Sequence, residues 1–178
     1  MTRIEESVYN TSLSLRRNLD STLSGTDSIT LTNQQSGGTM PSIYLALVDE
    51  FGQYVGSDSS STATISIVSS TTGQTYTPTI VGTTTQTASR GMFAFSSLVF
   101  TAEPNKTFSL SFSTTGIDSS KPSNSVYLSN LNTTDTSLSF SVSLRECEIG
   151  EAFLDSGACQ QCAANSSYSL TTMSSPGD

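Results

Sequence analysis

The chain has 178 residues, 34% of them hydrophobic and only 12% charged, with a formal net charge of −8 and a pI near 4.3. Its seven Lys and Arg residues argue against a nucleic-acid partner, which needs clustered positive charge. The same acidity disfavours adsorption to anionic lipid, and the absence of His excludes Ser-His-Asp and Cys-His catalytic arrangements.

The hydrophobic share lies below the roughly 45–50% of an average domain, and Ser and Thr fill the difference. Disordered chains combine low hydrophobicity with high charge. Here charge is low and β-branched residues are abundant, which suits a pleated sheet with one wet face. Composition therefore points to an all-β fold, in a chain with room for one good-sized domain and appendages. No apolar run approaches the roughly 18 residues of a spanning helix, so no membrane insertion is expected within the chain.

Residues 1–20, MTRIEESVYNTSLSLRRNLD, mix both charge signs and have no apolar core, unlike a secretory signal peptide. Features further along point outside the cell. The chain therefore reads as a piece of a longer protein, or as one starting at an internal Met. In residues 1–26, Ile4, Val8, Leu15, Leu19 and Leu23 fall near helical spacing while Ser12 to Leu15 alternate like a strand. Both patterns are weak, and the segment is expected to be a linker or the end of a preceding module, outside the main core.

Residues 27–145 are expected to form the main domain. Ser28 to Thr32 reads as a short strand and Asn33 to Thr39 as a loop; Pro41 opens the next strand, where its missing N–H does little harm. Ser42 to Ser61, SIYLALVDEFGQYVGSDSSS, is a strand through Ile43, Leu45 and Leu47 that enters a turn at Asp49–Gly52 and resumes. Thr62 to Val68 alternates again, and Thr71–Gln74 closes a hairpin into Tyr76 to Val81. The Thr-rich stretch Gly82 to Arg90 is a loop or an edge strand.

Gly91 to Thr101 carries Phe93, Phe95, Leu98 and Phe100, with a register shift at Ser96-Ser97 that indicates a bulge or bend. Phe108, Leu110 and Phe112 alternate with Ser109, Ser111 and Ser113. Gly116 to Asn124 reads as a loop and Val126 to Leu128 as a short strand. Leu138, Phe140, Val142 and Leu144 then alternate with Ser139, Ser141 and Ser143, the clearest strand in the chain. Eight or nine short strands, with no helix, are the signature of a sandwich or barrel. The expectation is an immunoglobulin- or filamin-like antiparallel β-sandwich with an apolar core of Phe, Leu, Ile and Val.

Composition changes at Arg145-Glu146-Cys147, and residues 146–178 hold all the cysteines: Cys147, Cys159 and Cys162. Cys147 with Gly150, then Gly157-Ala158-Cys159-Gln160-Gln161-Cys162, then Tyr168-Ser169, resembles the ephrin-receptor-like cysteine-rich repeat. Such repeats use four or more cysteines. A chain with three fits one that ends within the repeat. More widely, LALVDEFGQYVGSDSSS, the Gly91–Phe100 run, Lys121 to Tyr127 and the LRECEIGE junction are similar to large multi-module surface proteins of ciliated protozoa. That resemblance covers residues of about 27 to 170 and implies a membrane-anchored surface protein, extracellular in this part, far more than it implies a mechanism.

C-x2-C can be half of a zinc site or a redox pair. Zinc needs four ligands, against three Cys and no His here, and a thioredoxin-like pair would sit in an α/β pattern that is missing. Disulfide use is the better reading. Spacing leaves the connectivity open; Cys147–Cys159 is the expected pair, with Cys162 left for a cysteine beyond the end. The glycosylation candidates are Asn10, Asn105, Asn132 and Asn165, each the first residue of an N-x-[ST] motif.

Asp49, Glu50 and Asp58 are candidate calcium ligands, but carboxylates at a turn usually bond their own backbone; Asp118 and Asp155 have less support still. Nothing singles out a glycosidase-type carboxylate pair. The reading is a non-catalytic extracellular structural or adhesive module of a larger surface protein, with no cofactor and with a protein or glycan partner. The alternative is a ligand-binding receptor ectodomain, which an exposed cluster of Tyr44, Tyr54 and Tyr76 would favour.

Overall fold

The computed structural model describes residues 12–17, 21–22, 29–48, 54–68, 76–130 and 136–162. In chain order the strands are β1 (Ser12–Arg17), β2 (Ser21–Thr22), β3 (Ile29–Gln34), β4 (Ile43–Val48), β5 (Thr62–Ile67), β6 (Thr79–Val81) and β7 (Thr85–Thr87). They continue as β8 (Met92–Phe95), β9 (Val99–Thr101), β10 (Thr107–Thr114), β11 (Leu138–Leu144), β12 (Glu151–Phe153) and β13 (Cys159–Gln161), with one helix, α1 (Pro122–Asn130), before β11.

Period-2 alternation builds the larger sheet. Phe108, Leu110 and Phe112 on β10 stand opposite Val142, Phe140 and Leu138 on β11, and Leu110 and Phe112 stand opposite Ile67 and Ile65 on β5. Each set points to one face because successive side chains alternate. This sheet runs β3-β11-β10-β5-β7, and a second runs β2-β1-β4-β8. The two face each other through aromatic rings: Phe95 of β8 lies 5.0 Å from Phe112 of β10, and Phe112 stacks on Phe140 at 5.1 Å. Leu45, Phe93, Leu110 and Val142 complete this interior and are fully buried. Among the described residues the fold is mostly β, two facing sheets followed by a small disulfide-linked hairpin.

The opposite face of the larger sheet is wet and built from hydroxyls. Ser66 and Ser111 meet across β5 and β10 at 3.1 Å, and Thr64 and Thr85 across β5 and β7 at 3.0 Å. The bend expected at Ser96-Ser97 is where the chain changes partners: β8 pairs with β4, β9 with β6, and Ser97 takes a positive φ of 57°. Gly82 sits beneath this bend with φ +122°, and a Cβ there would stand 3.0 Å from the Ser97 carbonyl oxygen.

Four expectations need correction. Residues 1–26 are not all linker, because β1 pairs antiparallel with β4 from Ser12↔Val48 to Arg16↔Tyr44, and β2 pairs with β1. Without β1, that side of β4 would expose a row of unpaired backbone groups, and β1 covers them. The sheets are not wholly antiparallel, since β3 runs parallel to β11. Val126 to Leu128 is part of a helix instead of a strand. Pro122 opens it with a fixed φ, and Asn124, 1% exposed, donates 2.7 Å to the Asp118 carbonyl just ahead. A run of three apolar residues carries no period that could have told the two apart. The turns at Asp49–Gly52 and Thr71–Gln74 lie outside the described residues, but the hairpin expected across the second is not formed: β5 pairs with β10 and β7, and β6 pairs with β9.

Candidate functional site at the joint with the disulfide hairpin

β12 and β13 pair antiparallel, from Glu151↔Gln161 to Phe153↔Cys159, and Cys147 is bonded to Cys159 across a separation of 12 residues. This hairpin has a small apolar interior, Cys147, Phe153 and Cys159, against which Tyr76 packs; the Tyr76 and Phe153 rings meet edge-on at 5.2 Å. Tyr76 belongs to the approach to β6, so one side of the hairpin's interior comes from the sandwich.

The other side is polar and is supplied by the loop that leaves β3. Ser36 is fully buried. Its Oγ accepts the Ala102 N–H at 3.0 Å and lies within donating distance of the carbonyl oxygens of Ala102 at 2.6 Å and Gly157 at 2.5 Å. The Ser36 carbonyl accepts the Cys159 N–H at 2.9 Å. Gln35 donates its side-chain amide to the Cys159 carbonyl at 2.9 Å and to Glu151 Oε1 at 3.1 Å. Gly37 follows with φ +79°, where a Cβ would stand 2.7 Å from the Ala158 Cβ, so the loop approaches the hairpin too closely for any side chain.

Arg145, at the end of β11, closes the arrangement. Its guanidinium meets Glu151 with two parallel bonds of 2.8 Å, and Nη1 also donates to the Glu146 carbonyl at 2.8 Å. Its backbone N–H donates to the Gln34 carbonyl at 2.9 Å. Glu151 Oε2 also accepts the Glu148 N–H at 2.8 Å. A planar fork facing a carboxylate is the strongest form of ion pair, and both Glu151 oxygens are engaged although the residue is buried. The Arg145 hydrogen bonds hold the Glu151 carboxyl below the ordinary carboxylate range; burial acts the other way and loses. The Arg145 guanidinium is correspondingly raised, first by its bonds to Glu151.

Among the described residues, Cys147, Glu151 and Cys159 are the group whose donor atoms come within 4.8 Å of one another, a distance at which three ligands could hold an ion. The two sulfurs are bonded to each other, and the Glu151 oxygens are held by Arg145, Gln35 and the Glu148 amide. What this cluster does is fix the hairpin. Cys162 is a free, half-buried thiol; its N–H donates to the Gly150 carbonyl at 2.8 Å.

Other candidates fall elsewhere. Asp58 forms a turn of its own: Oδ1 accepts the N–H groups of Ser60 and Ser61, at 3.0 and 3.1 Å. Burial pushes its carboxyl up, and the bonds from Ser60 and Ser61 together pull it down further. Asp49 and Glu50 lie outside the described residues, as do Asn10, Asn132 and Asn165. Asp118 caps the loop before α1 by accepting from the Ser120 N–H at 2.9 Å, and Asp155 is exposed at the hairpin turn. Among the described residues no ring contact joins Tyr44, Tyr54 and Tyr76: Tyr54 donates to the Arg90 carbonyl, and Tyr76 packs in the joint. The motif reading missed Gln35, Ser36, Arg145 and Glu151. The one trace of them was the run of charges around Cys147.

No protein-family model matches the chain, and no curated protein matches it. Among solved structures it is similar to WR4, a C. elegans MSP family member, across 65% of this chain and 91% of that one, with 9% identity and a TM-score of 0.33. A likeness at that level adds nothing on function.

Proposed function

We propose that the chain is a non-catalytic extracellular structural module, a spacer with a fixed joint, within a larger multi-module cell-surface protein of the kind found in ciliated protozoa. The observation that carries this is the joint. The disulfide hairpin is bound to the sandwich by a buried hydroxyl, an amide and a forked ion pair, so β12 and β13 are held in one placement against it. A flexible tether would need none of these. A disulfide fits an oxidising compartment, and no helix among the described residues is long and apolar enough to cross a membrane. Adhesion through a protein or glycan would then fall to exposed faces of the sandwich or to neighbouring modules.

The test is accessibility on intact cells. An antibody against the folded chain is expected to label unpermeabilised source cells, and Cys147 and Cys159 are expected to resist alkylation until reductant is added. Labelling that requires permeabilisation, with both cysteines alkylated without reductant, would overturn the proposal.

A further inference from the structure

Asn105 and Lys106 lie in the turn between β9 and β10, and Thr107 is the first residue of β10. Asn105 takes a left-handed φ of 58°, which Asn tolerates better than most residues. Around it the turn is firmly held: the Lys106 carbonyl accepts the Leu144 N–H at 2.9 Å, the Lys106 ammonium pairs with Glu103 at 2.7 Å, and Thr107 stands in register with Ser143. Asn105, Lys106 and Thr107 are all exposed. Asn105 Nδ2 donates 2.9 Å to Oε1 of Glu146, the residue before Cys147. A side-chain amide carries two hydrogens. One is engaged by Glu146, and the second leaves the nitrogen open to substitution.

We infer that Asn105 is an N-glycosylation site whose glycan stands at the edge of the joint. This rests on the extracellular reading above, because the glycan donor is met on the secretory route. In the transfer, Nδ2 loses one hydrogen as a proton and forms a bond to the anomeric carbon of an oligosaccharide. The bond from that carbon to the pyrophosphate of a polyisoprenoid carrier breaks, and the pyrophosphate leaves with the electron pair. Nothing is oxidised or reduced. The remaining N–H is enough to keep the bond to Glu146, so the fold accepts the modified turn without losing the contact that leads into the hairpin.

The chain, expressed behind a cleavable secretion leader in a eukaryotic host, is expected to carry glycan at Asn105. Mass spectrometry would read it as deamidation at that position after enzymatic release. Thr107→Ala is expected to abolish occupancy and Thr107→Ser to retain it, with the Cys147–Cys159 bond formed in both as the check on folding. A secreted chain with that bond formed but a bare Asn105 overturns the inference and leaves the extracellular reading standing. Retention inside the cell, with reduced cysteines and a bare Asn105, overturns both.

Discussion

Phe95, Phe112 and Phe140 meet ring to ring between the two large sheets, whereas Gln35, Ser36, Arg145 and Glu151 meet through polar atoms at the joint. The two regions do different jobs. Burial of apolar area is strong but non-directional, so it makes the sandwich stable without dictating how an appendage sits on it. Hydrogen bonds depend on distance and angle, and buried ones left unmade are costly. The joint's bonds are satisfied together in one placement of the hairpin. Stability therefore resides mainly in the sandwich, and orientation in the joint.

The largest effect that separates the two is expected from Phe112→Ala. It opens a cavity between the sheets and is expected to cost about 3–5 kcal/mol in global denaturant unfolding, while the Cys147–Cys159 bond still forms. Replacing Cys147 and Cys159 together by Ser is expected to cost about 2–4 kcal/mol. That loss would fall on the hairpin: amide exchange should speed up across β12 and β13 and stay slow in β10 and β11. If β10 and β11 lose protection equally, the two regions are one cooperative unit and the distinction fails.

Glu151→Gln keeps the shape of the side chain and removes its charge, at an expected cost of about 1–3 kcal/mol to the docking of the hairpin. It also bears on pH. The Glu151 carboxyl is depressed in the folded chain, mainly by Arg145. Its stabilisation is therefore fully present above the unfolded-state pKa of about 4.3 and is lost as pH falls through the lower folded value. Acid should loosen the hairpin, and Glu151→Gln should flatten that dependence. Asp58 is depressed as well, so the comparison must be read on hairpin amides and not on global unfolding. The smallest effect is expected for Ser66→Ala on the wet face, within about 0.5 kcal/mol by thermal unfolding.

What the sequence disclosed follows the same division. β10, β11 and β4 were legible because alternation is local, and a residue's neighbours two positions away reveal its face. β1 was read as linker because its pattern is weak and its place depends on β4, an element it meets only in space. α1 was missed because its start is set by Pro122 and a buried Asn124, with no apolar stripe to mark it. The joint was the least legible part. Ser36 meets Gly157 across 121 residues and Gln35 meets Cys159 across 124, so no short motif contains both partners. In the sequence, the loop Asn33 to Thr39 shows only turn residues, and its buried hydroxyl looks like any other Ser.

The Cys159 amide offers the most direct test of the fixed joint, because its hydrogen bond goes to Ser36 of the sandwich and not to the hairpin's own partner strand. Residue-resolved hydrogen exchange is expected to show this amide protected to a degree comparable with β10, and to lose that protection in Glu151→Gln. Rapid exchange of the Cys159 amide in the unaltered, disulfide-bonded chain would mean that the hairpin swings free of the sandwich.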